Sequence, residues 1–563
     1  MTKIFGSMHP FYEDGAINGR KLANAGFMDA LLRLDPFEEY HFFVANPQAL
    51  QEQWAARETL PAVRRGAVQA LQRTELISRL RAVPYHVFHF SDPVSGFADM
   101  CALRNRHAPE LFPVTAVNHS INYQEYASRF LAHMWEGCGP RDLIGANSRA
   151  SLRVLQGWYA HLRDAYGLHP TQAPAPQLRL MHMGMAPELL PPPRDDARQT
   201  ADNSPRRDMR LRLRLREDSV LLLLFGRVAL DDKMDPQPLL LALRRVRSAR
   251  PELDMRLVIS GFADARDNAP EFLQAVARLL DVPLHVLPNP SDAEKFALFA
   301  AADIFISPSD NIQETFGLSL LEAAGAELPA IAADWDGYRD IIIPGQTGLL
   351  VDTLAPAATP ELDANAPALF DNQHQYQRSQ RTAVLVPAMA EAITLLAADP
   401  TLRQSMGRAA RAHALEHFTW QGVARRWLAL WEELRATPLP PATEARMRAA
   451  RHPYHLPFGA VFAPYATATL PPELPLRCTD MGHALRERRL PWHTAGKAPR
   501  GIRRDILHKM LVLARARATV EQLVARCGLE EEDAQSHILW AVKHDLLEAT
   551  AKFACFFPAH PLP

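Results

Sequence analysis

The sequence predicts an α/β protein, with two doubly wound parallel-sheet domains facing across a cleft and a small helical module after them. Three observations carry this expectation. Apolar runs of strand length alternate with helical segments, and the alternation occurs twice in succession. The runs of the second set are nearly continuous hydrophobes, as in VLLLLF at 220–225, which suits strands covered by helices on both faces. Prolines gather where each alternation stops. The chain has 563 residues, 48% hydrophobic and 22% charged, which excludes a mainly disordered chain. At about 150 residues per domain the length suggests three or four units.

In the first set the expected strands are 3–7, 40–44, 85–90, 114–119 and 143–146, with 178–183 at the edge. Ser148 is an N-cap candidate, and the helix after it should run to Tyr166, just before Gly167. Prolines recur from Pro170 to Pro193 and mark a boundary. Ser204-Pro205 then has the form of a helix start, with serine capping and proline in the first turn. The second set predicts strands at 220–225, 256–261, 284–287, 304–308 and 329–333, with helices at 238–248, 269–280, 292–301 and 316–325. Two such units in sequence place a ligand cleft at the carboxyl ends of their strands.

Residues 354–380 are polar and read as an insertion, and helical periodicity returns over 387–435. A second proline-rich stretch runs from Pro438 to Pro475. In the last module Thr519 to Gln522 matches a capping box, Gly528 suits a C′ position, and a further helix should span Glu531 to His544. The expected domains are therefore 1–190, 200–436, a connector over 437–495, and a helix-turn-helix-like module over 496–563.

The chain carries 62 Lys+Arg against 63 Asp+Glu, a formal net charge of −1, which argues against a nucleic-acid binder. The module does not reverse this, because its would-be recognition helix opens with Glu530, Glu531, Glu532 and Asp533, which phosphates repel. A protein contact or a regulatory role fits the module better, with a structural appendage as the alternative. The five cysteines form no CxxC pair, which predicts a reducing compartment and no structural zinc. No apolar run of about 18 residues is present, so a soluble, cytoplasmic protein is expected. The basic run 206–216 reads as a solvated helix face, leaving membrane contact at most peripheral, at the inner face.

Only eight of the cations are lysines, so each lysine is informative. The richest stretch is 303–340. A strand ends at Pro308, a polar loop follows, Glu314 precedes Thr315-Phe316-Gly317, and a helix carries Glu322. The free N–H groups at that helix start suit a phosphate. Glu322 would lie about 9 Å further along the axis, so two carboxylates flank a phosphate-binding turn. Strand–loop–helix units with two glutamates also arise by chance, but the neighbours add to the signal. Arg227 leaves the first strand of the second domain and Lys233 follows six residues later, two cations able to neutralise a diphosphate.

Glu314 and Glu322 with Phe316-Gly317, Gly226-Arg227 and Lys233, Val258-Ile259-Ser260-Gly261, Gly345-Gln346-Thr347-Gly348, and Met406–Trp420 resemble the retaining GT-B glycosyltransferases of family 4. The resemblance is specific over about 220–435 and weaker over 1–190. It implies two Rossmann-like domains and a nucleotide-diphosphate sugar as donor substrate, with no other cofactor and no metal requirement. By the same resemblance Glu322 binds the ribose, Glu314 the donor sugar, and the backbone of Phe316, Gly317 and Leu318 the sugar and phosphates. Arg227 and Lys233 hold the diphosphate, and the segment at Leu287 lines the base. The gap between Arg227 and Lys233 is longer than the family usually has, and the glycine that usually follows the lysine is missing.

Gly15 and Gly19 bracket a loop after the first strand, which reads equally as a tight turn and as a phosphate-facing loop. In the family this loop faces the donor phosphate and the acceptor. His119, at a strand end, is a common place for a structural histidine, and the resemblance puts it beside the reacting sugar. Asp334-Trp335-Asp336 spells DxD, the metal signature of the other major glycosyltransferase fold, and is read as incidental. The expected activity is sugar transfer with retention to a glycan, lipid-linked or protein acceptor. The alternatives are a GT-B phosphorylase or sugar-phosphate synthase, and a non-catalytic sugar-nucleotide-binding regulator. The intact pairs Glu314/Glu322 and Arg227/Lys233 favour catalysis.

Overall fold

Short, almost wholly buried strands build two separate parallel sheets. The computed structural model describes residues 3–13, 19–192, 205–230, 233–264, 268–369, 371–499 and 501–550. The first sheet contains β1 (Ile4–Ser7), β2 (Glu39–Val44), β3 (Val68–Gln72), β4 (Val87–Phe90), β5 (Val114–Val117), β6 (Asp142–Ala146) and β7 (Gln177–Leu180). Their order is β3-β2-β1-β4-β5-β6-β7, and every pairing is parallel. The second sheet contains β8 (Val220–Phe225), β9 (Met255–Gly261), β10 (Leu284–Pro288), β11 (Ile304–Ser307), β12 (Ala330–Ala333) and β13 (Gly348–Val351). It is ordered β10-β9-β8-β11-β12-β13, again all parallel. Both orders reverse next to the first strand of their sheet, between β1 and β4 and between β8 and β11. Ligands of open α/β sheets bind at such reversals. This is the Rossmann-like, two-domain GT-B architecture that the resemblance implies.

Several expected elements fall where the sequence puts them. The helix Arg149–Tyr166 starts at the Ser148 cap, whose side chain accepts from Ser151 N, and ends at Gly167 in the left-handed conformation. β8 and the helix Asp292–Ala301 have the expected limits. The helix Pro205–Arg212 begins at the expected proline, while Ser204 lies outside the described residues. Its Arg206 and Arg210 pair with Asp303 at 2.8 and 3.0 Å, so part of the basic run anchors this helix to the strand β11 rather than facing solvent.

The chain is less linear in space than in sequence. The periodic stretch 387–435 forms three helices, Val386–Ala398, Pro400–His417 and Trp420–Ala436, and the last crosses back onto the first sheet. There Trp427 and Trp431 are buried among Phe5, Phe27, Phe42 and Leu143, and Trp431 Nε1 donates to Thr115 Oγ1 of β5 at 3.1 Å. The two crossings run side by side, with Met185 N donating to Phe418 O and Trp420 N donating to Met185 O. The stretch expected as a connector is also partly structured. The helix Pro441–Ala449 buries Met447, and Arg448 donates to the carbonyls of Asn105, Ala108 and Pro109.

The contacts divide the chain into two compact units, Met1–Tyr454 and His455–Pro563. The second has a core of its own, in which Leu476, Leu507, Leu511, Leu523 and Ile538 are buried together. It contains the expected capping-box helix Val520–Cys527, capped by Thr519 and closed by Gly528, and the helix Glu531–Lys543. It also contains a three-stranded antiparallel sheet whose central strand, Pro475–Cys478, begins at the last residue of the proline-rich stretch, within the expected connector.

Candidate active site

The two sheet reversals open onto one cleft of about 710 Å³ within the first unit. Its floor depends on a close backbone approach. Gly261 ends β9 at φ +141°, and an added Cβ would lie 1.7 Å from the Gly226 carbonyl oxygen, so only glycine fits between β9 and β8. Arg227 follows Gly226 into the cleft and donates to Gln313 Oε1 at 3.3 Å.

The loop after β11 delivers Glu314, whose carboxylate is nearly enclosed. Lys233 Nζ lies 2.5 Å from Glu314 Oε2, with side-chain exposures of 17% and 10%. The Tyr338 hydroxyl, 2.7 Å from Ser307 Oγ, donates to the same carboxylate oxygen at 3.2 Å. Burial works to raise the Glu314 pKa, but the charge and hydrogen bond of Lys233, with Phe316 N and Tyr338, outweigh it and hold the group below the usual carboxylate value. The loop carrying Lys233 is docked by Asp235 N donating to Asp310 Oδ1 at 3.4 Å. Burial, and then the neighbouring Asp235 charge, push Asp310 up to about 8.

Gly317, at φ +113°, turns the chain into the helix Leu318–Gly325, and an added Cβ there would meet the Tyr338 ring at 2.5 Å. The helix therefore begins two residues later than the sequence predicts, and Glu322 lies about 6 Å along its axis from Leu318, less than the expected spacing. Glu322 Oε1 is 2.6 Å from Lys295 Nζ, which also sits 5.4 Å from the centre of the Phe225 ring. One helix N-terminus is thus flanked by two carboxylate–lysine pairs, with Arg227 beside them.

The opposite wall comes from the first domain. Gly19 opens the helix Gly19–Leu34, and a Cβ on it would stand 3.9 Å from Leu318 Cδ1 across the cleft. Gly15 lies outside the described residues. His119 follows β5 and is 7% exposed, with Nε2 2.8 Å from Asn24 Oδ1, and burial pushes its pKa down to about 4. Its ring is therefore neutral near pH 7. Its carbonyl accepts from Thr315 Oγ1 at 2.6 Å, and Asn147 Nδ2 donates to the same hydroxyl at 3.0 Å, tying the two domains together at the base of the cleft. Ser148 Oγ donates to Asp336 Oδ1 at 2.8 Å on the same seam.

Part of the cleft lining is acidic. Asp92, Glu125, Tyr123 and Tyr126 line the cleft together with Asp371, which the polar insertion contributes. Asp371 Oδ1 accepts from Gln124 N at 3.4 Å. Arg20 is the cation here, and it is paired with Glu13 at 2.7 Å.

Nearly all the sequence-predicted residues meet in this cleft: His119, Gly19, Arg227, Lys233, Glu314, Phe316, Gly317, Leu318 and Glu322. Leu287 does not line it. It lies on β10, the edge strand next to β9, where its carbonyl accepts from Ser260 Oγ at 2.8 Å. Sequence reasoning missed Lys295, Tyr338 and Asp371. Lys295 carried the same signal as Lys233, a lysine in an arginine-biased chain. In the DxD tripeptide Asp334 is held by Arg339 at 2.6 Å and Asp336 by Ser148, so the two acids address different partners. Among the described residues no group of three or more His, Cys, Asp or Glu has the geometry of a metal site. Among them, too, no helix is long and apolar enough to cross a membrane.

Residues 206–361 match the family model of glycosyl transferases group 1. The chain is 32% identical over 190 residues to a D-inositol 3-phosphate glycosyltransferase of Arthrobacter sp. (strain FB24), covering 34% of this chain and 37% of that one. It is 37% identical over 161 residues to the protein of that name from Xylanimonas cellulosilytica, covering 28% and 36%. The matches thus span little more than a third of these relatives' length. Among solved structures, sucrose-phosphate synthase from Thermosynechococcus elongatus aligns with TM-score 0.49 and 16% identity, covering 78% of this chain and 100% of that one. Anabaena HepE in complex with UDP and glucose aligns with TM-score 0.49 and 14% identity, covering 77% and 100%.

Proposed function

From the premise that residues 206–361 form a glycosyl transferases group 1 domain, we propose that the protein transfers a sugar, with retention, from a nucleoside diphosphate sugar to an acceptor held by the first domain. One observation carries the reading. The N-terminus of the helix Leu318–Gly325 lies between the pairs Glu314–Lys233 and Glu322–Lys295, with Arg227 at the same end of the cleft. The helix end and the cations favour a diphosphate, while carboxylates on either side suit hydroxyl groups of two different sugars.

In this reading the ribose binds Glu322 and the donor sugar binds Glu314. Arg227 and Lys233 hold the diphosphate and stabilise the charge that grows on it as the glycosidic bond breaks. Attack comes from the face the diphosphate leaves, and a leaving phosphate oxygen takes the acceptor proton, so the chain needs no carboxylate base. His119 remains neutral and lines the cleft by the reacting sugar. Because the diphosphate meets side-chain cations, donor binding needs no metal ion. The base lies beyond Glu322, towards the carboxyl ends of β9 and β10.

The acceptor end favours an unphosphorylated hydroxyl compound. A phosphorylated acceptor, of the kind named for the curated relatives, would face Asp92, Glu125 and Asp371 with Arg20 already paired. Two tyrosine rings, 5.1 Å apart at Tyr123 and Tyr126, offer an apolar face to a sugar ring. The test is a melting-temperature screen with UDP, GDP, ADP and their sugars, followed by diphosphate release with cell-extract acceptors. Stabilisation with release supports a transferase. Stabilisation without release, under any acceptor, supports the regulator reading instead.

A further inference from the structure

The second unit opens with a small apolar surface that no part of the proposed site uses. Leu456, Phe458, Val461, Phe462 and Tyr465 are 51%, 65%, 49%, 44% and 87% exposed within ten residues of chain. They are organised rather than scattered. The short helix Phe458–Val461 and the turn after it stack Phe458 on Phe462, centroids 5.7 Å apart and 9° from parallel, and Tyr465 meets Phe462 edge-on at 5.2 Å. Exposed large hydrophobes grouped in this way mark an interaction surface.

Size and charge identify the occupant. Fully exposed aromatic side chains offer on the order of 200 Å² each, so this wedge totals on the order of 500 Å². A stable protein interface needs about 800 Å² per partner, mostly contributed by 20–30 residues rather than five. Shallow insertion into a lipid interface needs only a few protruding aromatics with a polar tip, and the Tyr465 hydroxyl supplies one. The surrounding sequence suits an anionic surface. Residues 445–472 contain no aspartate or glutamate, and Arg451, five residues before Leu456 in the chain, is exposed, while Arg446 and Arg448 are taken up by backbone carbonyls of the first unit. We propose that the 456–465 segment is a membrane-surface contact, inserting its aromatic wedge at the headgroup level of an anionic bilayer.

The test is co-sedimentation of the full chain with phosphatidylcholine vesicles and with vesicles containing 30% phosphatidylglycerol. Wild type should bind the anionic vesicles at least fivefold better than the triple variant Phe458→Ser, Phe462→Ser, Tyr465→Ser, and Arg451→Glu should reduce the preference for anionic over neutral vesicles. The triple variant should keep its melting temperature and its stabilisation by nucleotide, which reports folding separately from lipid contact. Absence of wild-type binding to either vesicle overturns the proposal, as does unchanged binding by a folded triple variant. A concentration-dependent dimer that the triple variant abolishes, with no vesicle binding, assigns the wedge to a second copy of the chain instead.

Discussion

Removing Lys233 tests the site at its most enclosed point. In Lys233→Ala the Glu314 carboxylate loses a cation 2.5 Å away and keeps only the Tyr338 hydroxyl at 3.2 Å and Phe316 N at 3.5 Å. Breaking one side of a buried pair costs about 3 kcal/mol, because the remaining charge is left desolvated. Over a domain larger than 200 residues this corresponds to a fall in melting temperature of roughly 5–10 °C. The pH dependence fixes the cause. In wild type the Glu314 pKa is held low, so its contribution is present above the unfolded value and is lost as pH falls through the folded one. Without Lys233, burial raises that pKa above the unfolded value, so the penalty grows as pH rises and is relieved as pH falls. Thermal unfolding of wild type, Lys233→Ala, Glu314→Ala and the double variant at pH 5 and pH 8 should therefore show the largest loss for Lys233→Ala at pH 8. The double variant should be more stable than Lys233→Ala at that pH. An equal loss at both pH values, or strictly additive losses, refutes a buried charge pair at this position.

Further consequences follow from the same geometry. Gly261→Ala should lower the melting temperature by at least 10 °C or prevent soluble expression, since its Cβ would overlap the Gly226 carbonyl, whereas Gly157→Ala, in a helix with open space around it, should be neutral or slightly stabilising. Asp310 stays protonated to about pH 8 in the folded chain but ionises near 4 when unfolded, so it destabilises increasingly as pH rises between those values. Asp310→Asn should raise the melting temperature at pH 8 and leave it unchanged at pH 4. Burial pushes His89 down to about 3 and His119 and His133 to about 4, so the unfolded chain binds protons first on acidification, and stability should fall steadily from pH 6.5 to pH 4 in a thermal series. Asp371→Lys should shift the ratio of transfer to a sugar over its phosphate about tenfold towards the phosphate, with the nucleotide-induced melting shift unchanged.

Local signals in the sequence carried well into the structure where they act on neighbours. Ser148, Gly167, Thr519 and Gly528 delimit their helices because caps need only a hydroxyl or a left-handed turn within a few residues. The continuous hydrophobes of β8 and β9 announced a sheet covered on both faces. Two strands gave no such signal. β3, VQALQ, lies at the sheet edge with no fully buried residue, and β13, GLLV, is too short to separate from a turn. The return of Trp420–Ala436 to the first sheet was not legible, because Trp427 and Trp431 read as core residues whatever sheet they cover. In the site, Glu314, Glu322, Arg227 and Lys233 were legible through type and spacing within one domain. Asp371 was not, since its place beside Gln124 depends on an insertion reaching across to the other domain.

The most direct measurement is a proton NMR time course of the purified protein with the sugar nucleotide that stabilises it most and an unphosphorylated acceptor, run with EDTA present. Wild type should release the nucleoside diphosphate and form a product with the donor's anomeric configuration, while Glu314→Ala, folded and still stabilised by the free nucleoside diphosphate, should form none. An inverted product, turnover that requires added metal, or undiminished turnover by Glu314→Ala would contradict a retaining transfer centred on the Glu314–Lys233 pair.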